Sequence, residues 1–357
     1  MSNRPVRDSL NPIYENNFAG CLVGLAVGEA LGLLVQGKSR REIAATYGVV
    51  QDFFAQEPAH QEEKPTLGLN SAMAFVLAES LIATGGKLEP FDFGPRLAQW
   101  FEQQGQSIAD TALFGALQAG VAQANYQAGP LQKADSKLAA RISPLGLLHS
   151  YGRFDGEQLR QDCEKASRLT DSHPQVLEGG VIVAVAVRLL CRHDLLPEDL
   201  MSAALDYLPF GLPSDNPHRE KLLAAQDYLE ERQTLVDNIE AGHLLDIDLL
   251  RVDLNNLERC GVSNQIAQTV AAAFYAFTAR KDSFEEAVTL AVNTGGEAAA
   301  TLAGLTGALA GAYHGIEAIP QRWRERIGGS AEIIELAHQL HKTVRSRELT
   351  DYLSTGI

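Results

Sequence analysis

The chain is poor in the features that mark several large protein classes. Its 357 residues hold four cysteines, Cys21, Cys163, Cys191 and Cys260, with no CxxC pair among them, which excludes a zinc ribbon or a thioredoxin-like motif. Thiols so widely spaced are expected to be reduced and mostly buried. Basic residues are outnumbered, 30 Lys and Arg against 45 Asp and Glu, and the resulting charge of −15 is the wrong sign for nucleic acid or an anionic membrane surface. The opening stretch MSNRPVRDSLNPIYENN has no apolar leader core, so no signal peptide is expected. The longest apolar run, Cys21 to Val35, is short for a membrane span and carries Glu29 in its middle, so it reads as a core helix. Also absent are a G-x-S-x-G elbow, a P-loop, an H-E-x-x-H pair and a dinucleotide fingerprint. A cytoplasmic protein is expected, with neither nucleic acid nor membrane as partner.

What is present is helix. Apolar residues make up 45% of the chain, enough for a large core, and they recur at helical spacing with little strand-like alternation. The spacing predicts helices over Asn17–Val35, Ser71–Ala83, Phe91–Gln103, Ile108–Ala124, Pro174–Cys191, Asn264–Ala279 and Glu297–Tyr313. No repeat or low-complexity linker divides the chain. One helical domain is expected over residues 17–345, after a polar segment 1–16 and before a tail 346–357, with the acidic stretch 215–260 as peripheral helices or a cap. Gly20, Gly24, Gly28 and Gly32 recur every four residues, and Gly304, Gly307, Gly311 and Gly315 form a second stripe. Each interior glycine costs about 0.5–1 kcal/mol relative to alanine. Two stripes therefore imply close backbone approach between neighbouring helices.

Two helix starts follow glycine turns. Leu67-Gly68-Leu69-Asn70-Ser71 places Asn70 or Ser71 as an N-cap, and Asn293-Thr294-Gly295-Gly296-Glu297 places Glu297 in a first turn, where an acid complements the dipole. Taken alone, both are ordinary helix starts. Glu29 with Asp110 or Glu297 is a conceivable acid/base pair, although nothing in the spacing requires it.

Four segments, GCLVGLAVGEALGLLVQG (20–37), SAMAFVLAESL (71–81), RISPLGLL (141–148) and AVNTGGEAAATLAGLTGALAGAYHGIEAIP (291–320), resemble the ADP-ribosylglycohydrolase family in order and spacing. The resemblance implies an all-α orthogonal helical bundle around two divalent cations, usually magnesium, which help bind ADP-ribose and activate water for cleavage of a glycosidic bond.

The departures from that pattern concern the cation ligands. The family's G-D-A-x-G-x-x-x-E corresponds to Gly28–Gln36, so its terminal glutamate is Gln36. Its T-D-D-T falls on Gly68-Leu69-Asn70-Ser71, which lacks both aspartates. Its G-G-D-x-D-T places aspartates at Ala298 and Ala300 with Thr301 retained, or at Glu297 and Ala299 if the glycines are the anchor. The substrate segments differ as well. The phosphate loop before Arg141 contains Asp135 and Lys137, and T-H-x-H-P reads Thr170-Asp171-Ser172-His173-Pro174, with Asp171 in place of the first histidine. His173 reads as an ordinary helix-start residue, and Arg141 as a phosphate neighbour or a structural donor. No metal or other cofactor is expected, and no catalytic residue is assigned. The retained scaffold with an altered ligand set implies a catalytically inactive relative with a protein partner or a small nucleotide-like ligand. An active hydrolase with a non-standard or single-ion site is the alternative.

Overall fold

The structure is a computed structural model that describes residues 13–53, 65, 67–104, 115, 118, 134–136, 139–206, 215–241 and 248–355. Among these residues there are fifteen α-helices and no strand. Among the described residues the only strand-like pairings are isolated bridges between Ser39 and Gly295 and between Asp135 and Gln265. The predicted helix over Ile108–Ala124 lies almost wholly outside the described residues, as do Asp110 and Lys137.

The centre of the fold is an antiparallel pair, α1 (Ile13–Leu33) and α13 (Ala299–His314). A Cβ on Gly20 would lie 2.3 Å from the carbonyl oxygen of Gly311, one on Gly24 2.2 Å from that of Gly307, and one on Gly28 2.1 Å from that of Ala303. The two backbones thus touch with a four-residue register, which explains the glycine period. The stripe on α13 is not uniform, however. Gly307 and Gly311 meet α1 backbone, whereas Gly304 faces the Glu29 side chain and its place in the register is taken by Ala303.

Around this pair pack α3 (Leu69–Ala83), α7 (Pro174–Arg192), α11 (Ile266–Ala279), α12 (Phe284–Thr294) and α15 (Ser330–Thr355). In chain order, α2 (Arg40–Tyr47) and α4 (Pro90–Gln104) complete the N-terminal half, with α5 (Ser143–Leu148), α6 (Gly156–Arg168) and α8 (Leu200–Asp206) in the middle. The acidic stretch supplies α9 (Pro217–Glu240) and α10 (Leu249–Cys260), and α14 (Gln321–Arg326) precedes the last helix. Two helices, over Tyr14–Leu33 and Pro174–Arg192, are long and apolar enough to cross a membrane, but 89% and 78% of those windows are buried inside the fold. Core packing therefore accounts for their apolarity. All four cysteines are buried and unpaired. Burial pushes their thiols above the ordinary range, which leaves them protonated and inert.

Candidate functional site

The candidate residues gather where the starts of α3 and α13 meet the end of α1. The helix α3 starts at Leu69, so neither Asn70 nor Ser71 is its N-cap; both lie in its first turn. The cap position is Gly68, in extended backbone, with no side chain to offer. The capping acceptor comes instead from α1. One carboxylate oxygen of Glu29 accepts from the Asn70 amide at 2.9 Å, and the other from the Ser71 amide at 2.8 Å and from the Ser71 hydroxyl. A Cβ at position 68 would fall 2.2 Å from the Glu29 carboxyl carbon, so the glycine is what seats the acid. Burial raises the Glu29 pKa, and the bonds from Ser71 and Asn70 pull it partly back.

The start of α13 repeats the pattern. Its cap position is Ala298, which has no capping side chain, and Glu297 lies outside the helix, exposed, rather than in its first turn. Gln36 bridges the gap: its amide oxygen accepts from the Ala300 N–H at 2.8 Å, and its NH2 donates to the Glu297 carbonyl. Asn70 joins the two helix starts by donating to the Thr301 hydroxyl at 3.3 Å, while its own Oδ1 is buried with no partner among the described residues. Ala298 and Ala300 are buried, and Leu69 is half-buried against the core.

Arg141 adjoins the junction, its Nη1 3.9 Å from Met73 Sδ on α3, and Asp171 lies beyond it. Arg141, on a one-turn helix over Ala140–Ile142, is fully buried and donates to the carbonyls of Ala166 and Ser167 at 2.9 and 3.3 Å. Burial pushes its guanidinium down to about 10, opposed by the nearby Asp171. Asp171 accepts from the His173 amide at 2.7 Å, and its pKa is raised by burial. His173 is the N-cap of α7, with Nδ1 accepting from the Gln175 amide at 3.2 Å, so Nε2 carries the proton of the neutral ring.

His173 and Glu297 meet in a cleft of about 680 Å³. Asp135, from the loop before Arg141, also lines it, and the remaining wall is one the sequence does not single out: Gln175, Lys221, Asn264, Gln265 and Gln268. Backbone bonds from Ser136 to Asn264 (2.7 Å) and from Ile266 to Ala134 (2.9 Å) join two sides of it. One signal was available: the dipeptides His173-Pro174 and Asn216-Pro217 mark helix starts with proline at the first position, and both starts border the cleft.

Among the described residues, no three His, Cys, Asp or Glu side chains converge as a metal site would require. At the junction the donors are one carboxylate with both oxygens engaged, two neutral amides and two hydroxyls.

The architecture and its junction of helix starts define an all-helical protein built around one glycine-seamed helix pair. The chain belongs to the ADP-ribosylglycohydrolase family, whose sequence model matches residues 10–350. An uncharacterized protein of Archaeoglobus fulgidus is 30% identical over 332 residues, covering 92% of this chain and 97% of that protein. The ADP-ribosylhydrolase ARH3 of Bos taurus is 23% identical, with 92% and 93% covered. The ADP-ribosylarginine hydrolase Tri1 of Serratia proteamaculans is 24% identical, with 90% and 78% covered. A solved structure titled ADP-ribosylglycohydrolase-related protein complex matches with a TM-score of 0.68 at 25% identity, over 94% of this chain and 100% of that one.

Proposed function

We propose that this member of the family is catalytically inactive, has lost the two-cation centre, and serves in the cytoplasm as a binding, regulatory or structural protein. The observation that carries the reading is the donor set at the helix junction. A divalent cation and a carboxylate at bonding distance gain on the order of 10 kcal/mol gross even at an effective dielectric near 20, and hard cations need several anionic oxygens to replace their water. Leu69, Ala298 and Ala300 offer none, Asn70 and Gln36 offer neutral carbonyls, and the Glu29 oxygens are already taken. Two helix N-termini converge there, and their positive ends disfavour a cation further. This donor set does not fit a pair of magnesium ions, so no step through a metal is assigned.

The cleft beside the junction supports a retained binding role, with a small nucleotide-like ligand or a protein segment as occupant. Its polar lining of His173, Gln175, Lys221 and Gln268 offers both donors and acceptors. The same cleft favours a second reading through one observation: Glu297 is exposed and faces it together with His173, an arrangement that metal-independent acid/base hydrolysis could use. Release of ADP-ribose from ADP-ribosylated arginine and serine peptides separates the two. The inactive reading expects no release above the uncatalysed rate, with or without magnesium. Release that depends on magnesium, or is abolished by Glu297→Ala, overturns it. Calorimetry with ADP-ribose then reports whether the cleft still binds.

A further inference from the structure

The starts of α3 and α13 share a defect and a remedy. Each has a cap position without a capping side chain, Gly68 and Ala298. Each is capped instead from a distance by a residue of the α1 segment. Glu29 takes the amides of the second and third residues of α3, the very donors a local Ser or Asp at position 68 would take. Gln36 takes the amide of the second residue of α13 and also holds the Glu297 carbonyl. Glu29 lies near the end of α1 and Gln36 in the turn that follows it, so one segment reaches both helix starts.

We infer that Glu29 and Gln36 form a built-in clamp that caps α3 and α13 in trans and holds the three helix ends together without any cation. The inference deepens the proposed function, since it rests on the reading that the two-cation centre is gone. It assigns the work of joining these helices to two side chains of this chain. The fit around Glu29 supports it: Gly68 leaves room for the carboxyl, and a Cβ on Gly304 would come within 3.1 Å of the Glu29 Cβ.

Hydrogen exchange and thermal unfolding of the full chain test the clamp. The unfolding midpoint of the unaltered protein is expected to be the same in EDTA and in excess magnesium. Glu29→Ala should accelerate exchange at the Asn70 and Ser71 amides at least tenfold while leaving Ala300 unchanged. Gln36→Ala should do the reverse, and because Gln36 is exposed that variant folds even if Glu29→Ala does not. A local cap should rescue: Gly68→Ser in the Glu29→Ala background, where the carboxyl no longer fills the space, restores protection at Ser71. A magnesium-dependent rise in the midpoint overturns the clamp, and so does unchanged exchange at Asn70, Ser71 and Ala300 in both variants. Release of ADP-ribose from those peptides without a magnesium effect on stability would sink only the inactive reading and leave the clamp standing.

Discussion

The molecule joins its helices in two opposite ways. Along α1 and α13 there is almost nothing between the backbones: glycine faces carbonyl at Gly24 and Gly307, and again at Gly20 and Gly311. Where the acidic stretch meets the core, the joint is a buried charge. Asp253 of α10 is fully buried, with Oδ1 accepting from Arg232 at 2.7 Å and from the Tyr275 hydroxyl at 2.9 Å. Its Oδ2 meets Arg280 at 2.7 Å, off the axis of a hydrogen bond. The seam is specified by shape alone and has no tolerance for an added atom. The ionic joint is specified by partners, and what it cannot survive is the loss of one of them. The acidic stretch is therefore more than a peripheral covering. It is fastened to α11 at Tyr275 and to the turn after it at Arg280.

Breaking the seam should have the largest effect. Gly307→Val places a Cβ 2.1 Å from the Gly24 carbonyl oxygen, where only backbone movement gives relief. The cost should exceed the ~1–3 kcal/mol usual for overpacking against side chains. The expected outcome is loss of the cooperative urea transition, and a well-folded variant would show that the helices can part. Next comes the ionic joint. Asp253→Ala leaves two arginines facing each other across a buried site, which typically costs about 3–5 kcal/mol. Urea midpoints should fall accordingly, whereas a loss below about 1 kcal/mol would place the joint with exposed ion pairs. Burial, with Asp253 adding to it, raises the Tyr275 pKa, so the phenol stays a donor throughout the working pH range.

The acidic region is also tied down by a histidine, which gives the comparison a pH axis. His218, at the start of α9, is fully buried; Nε2 bonds the Gln175 carbonyl at 2.8 Å, and Nδ1 has no partner among the described residues. Burial lowers its pKa, opposed by that bond and by Glu178. With the folded value below the unfolded one, its contribution is complete above about pH 6.5 and is lost as pH falls through the folded value. Acid should therefore loosen α9 from α7 while the seam stays closed, because its backbone contacts at Gly20, Gly24, Gly307 and Gly311 do not titrate and the raised pKa of the adjoining Glu29 makes its protonation favour the folded state. Hydrogen exchange on the two helix pairs at pH 7 and pH 5 reads the difference. Equal loosening of both would refute it, and His218→Gln should flatten the response of α9.

The two joints were not equally legible in the sequence. Glycines every four residues are a one-dimensional pattern, so the seam could be read directly, although Gly304 proved to serve Glu29 and not the opposing backbone. The start of α3 is not legible locally because its cap is supplied in trans: Asn70 and Ser71 look like N-caps, and nothing local shows that Glu29, 41 residues before Asn70, does the capping. Glu297 lies two residues before α13 and not in its first turn for a related reason, since Gln36 and not an acid completes that start. The Asp253 joint and the cleft wall at Gln265 and Gln268 depend on contacts between distant segments, which neither periodicity nor family motifs reveal. Fold class followed from local periodicity, whereas the site depended on pairings across the chain.

The smallest effect tests whether glycine matters by position or by composition. Gly180 lies within α7, where a Cβ would meet Ile142 at 3.5 Å and Ser167 at 3.7 Å, ordinary contact distances. Unlike Gly307, it has no backbone close by. Gly180→Ala should therefore remove the conformational freedom of glycine in a helix without introducing a clash, stabilising the protein by about 0.5–1 kcal/mol. The same substitution type would thus raise the urea midpoint at 180 and, as Gly24→Ala, lower it at 24, where the added Cβ sits 2.2 Å from a carbonyl oxygen. Destabilisation at both positions would mean that α7 packs as tightly as the seam, and the contrast between them would collapse.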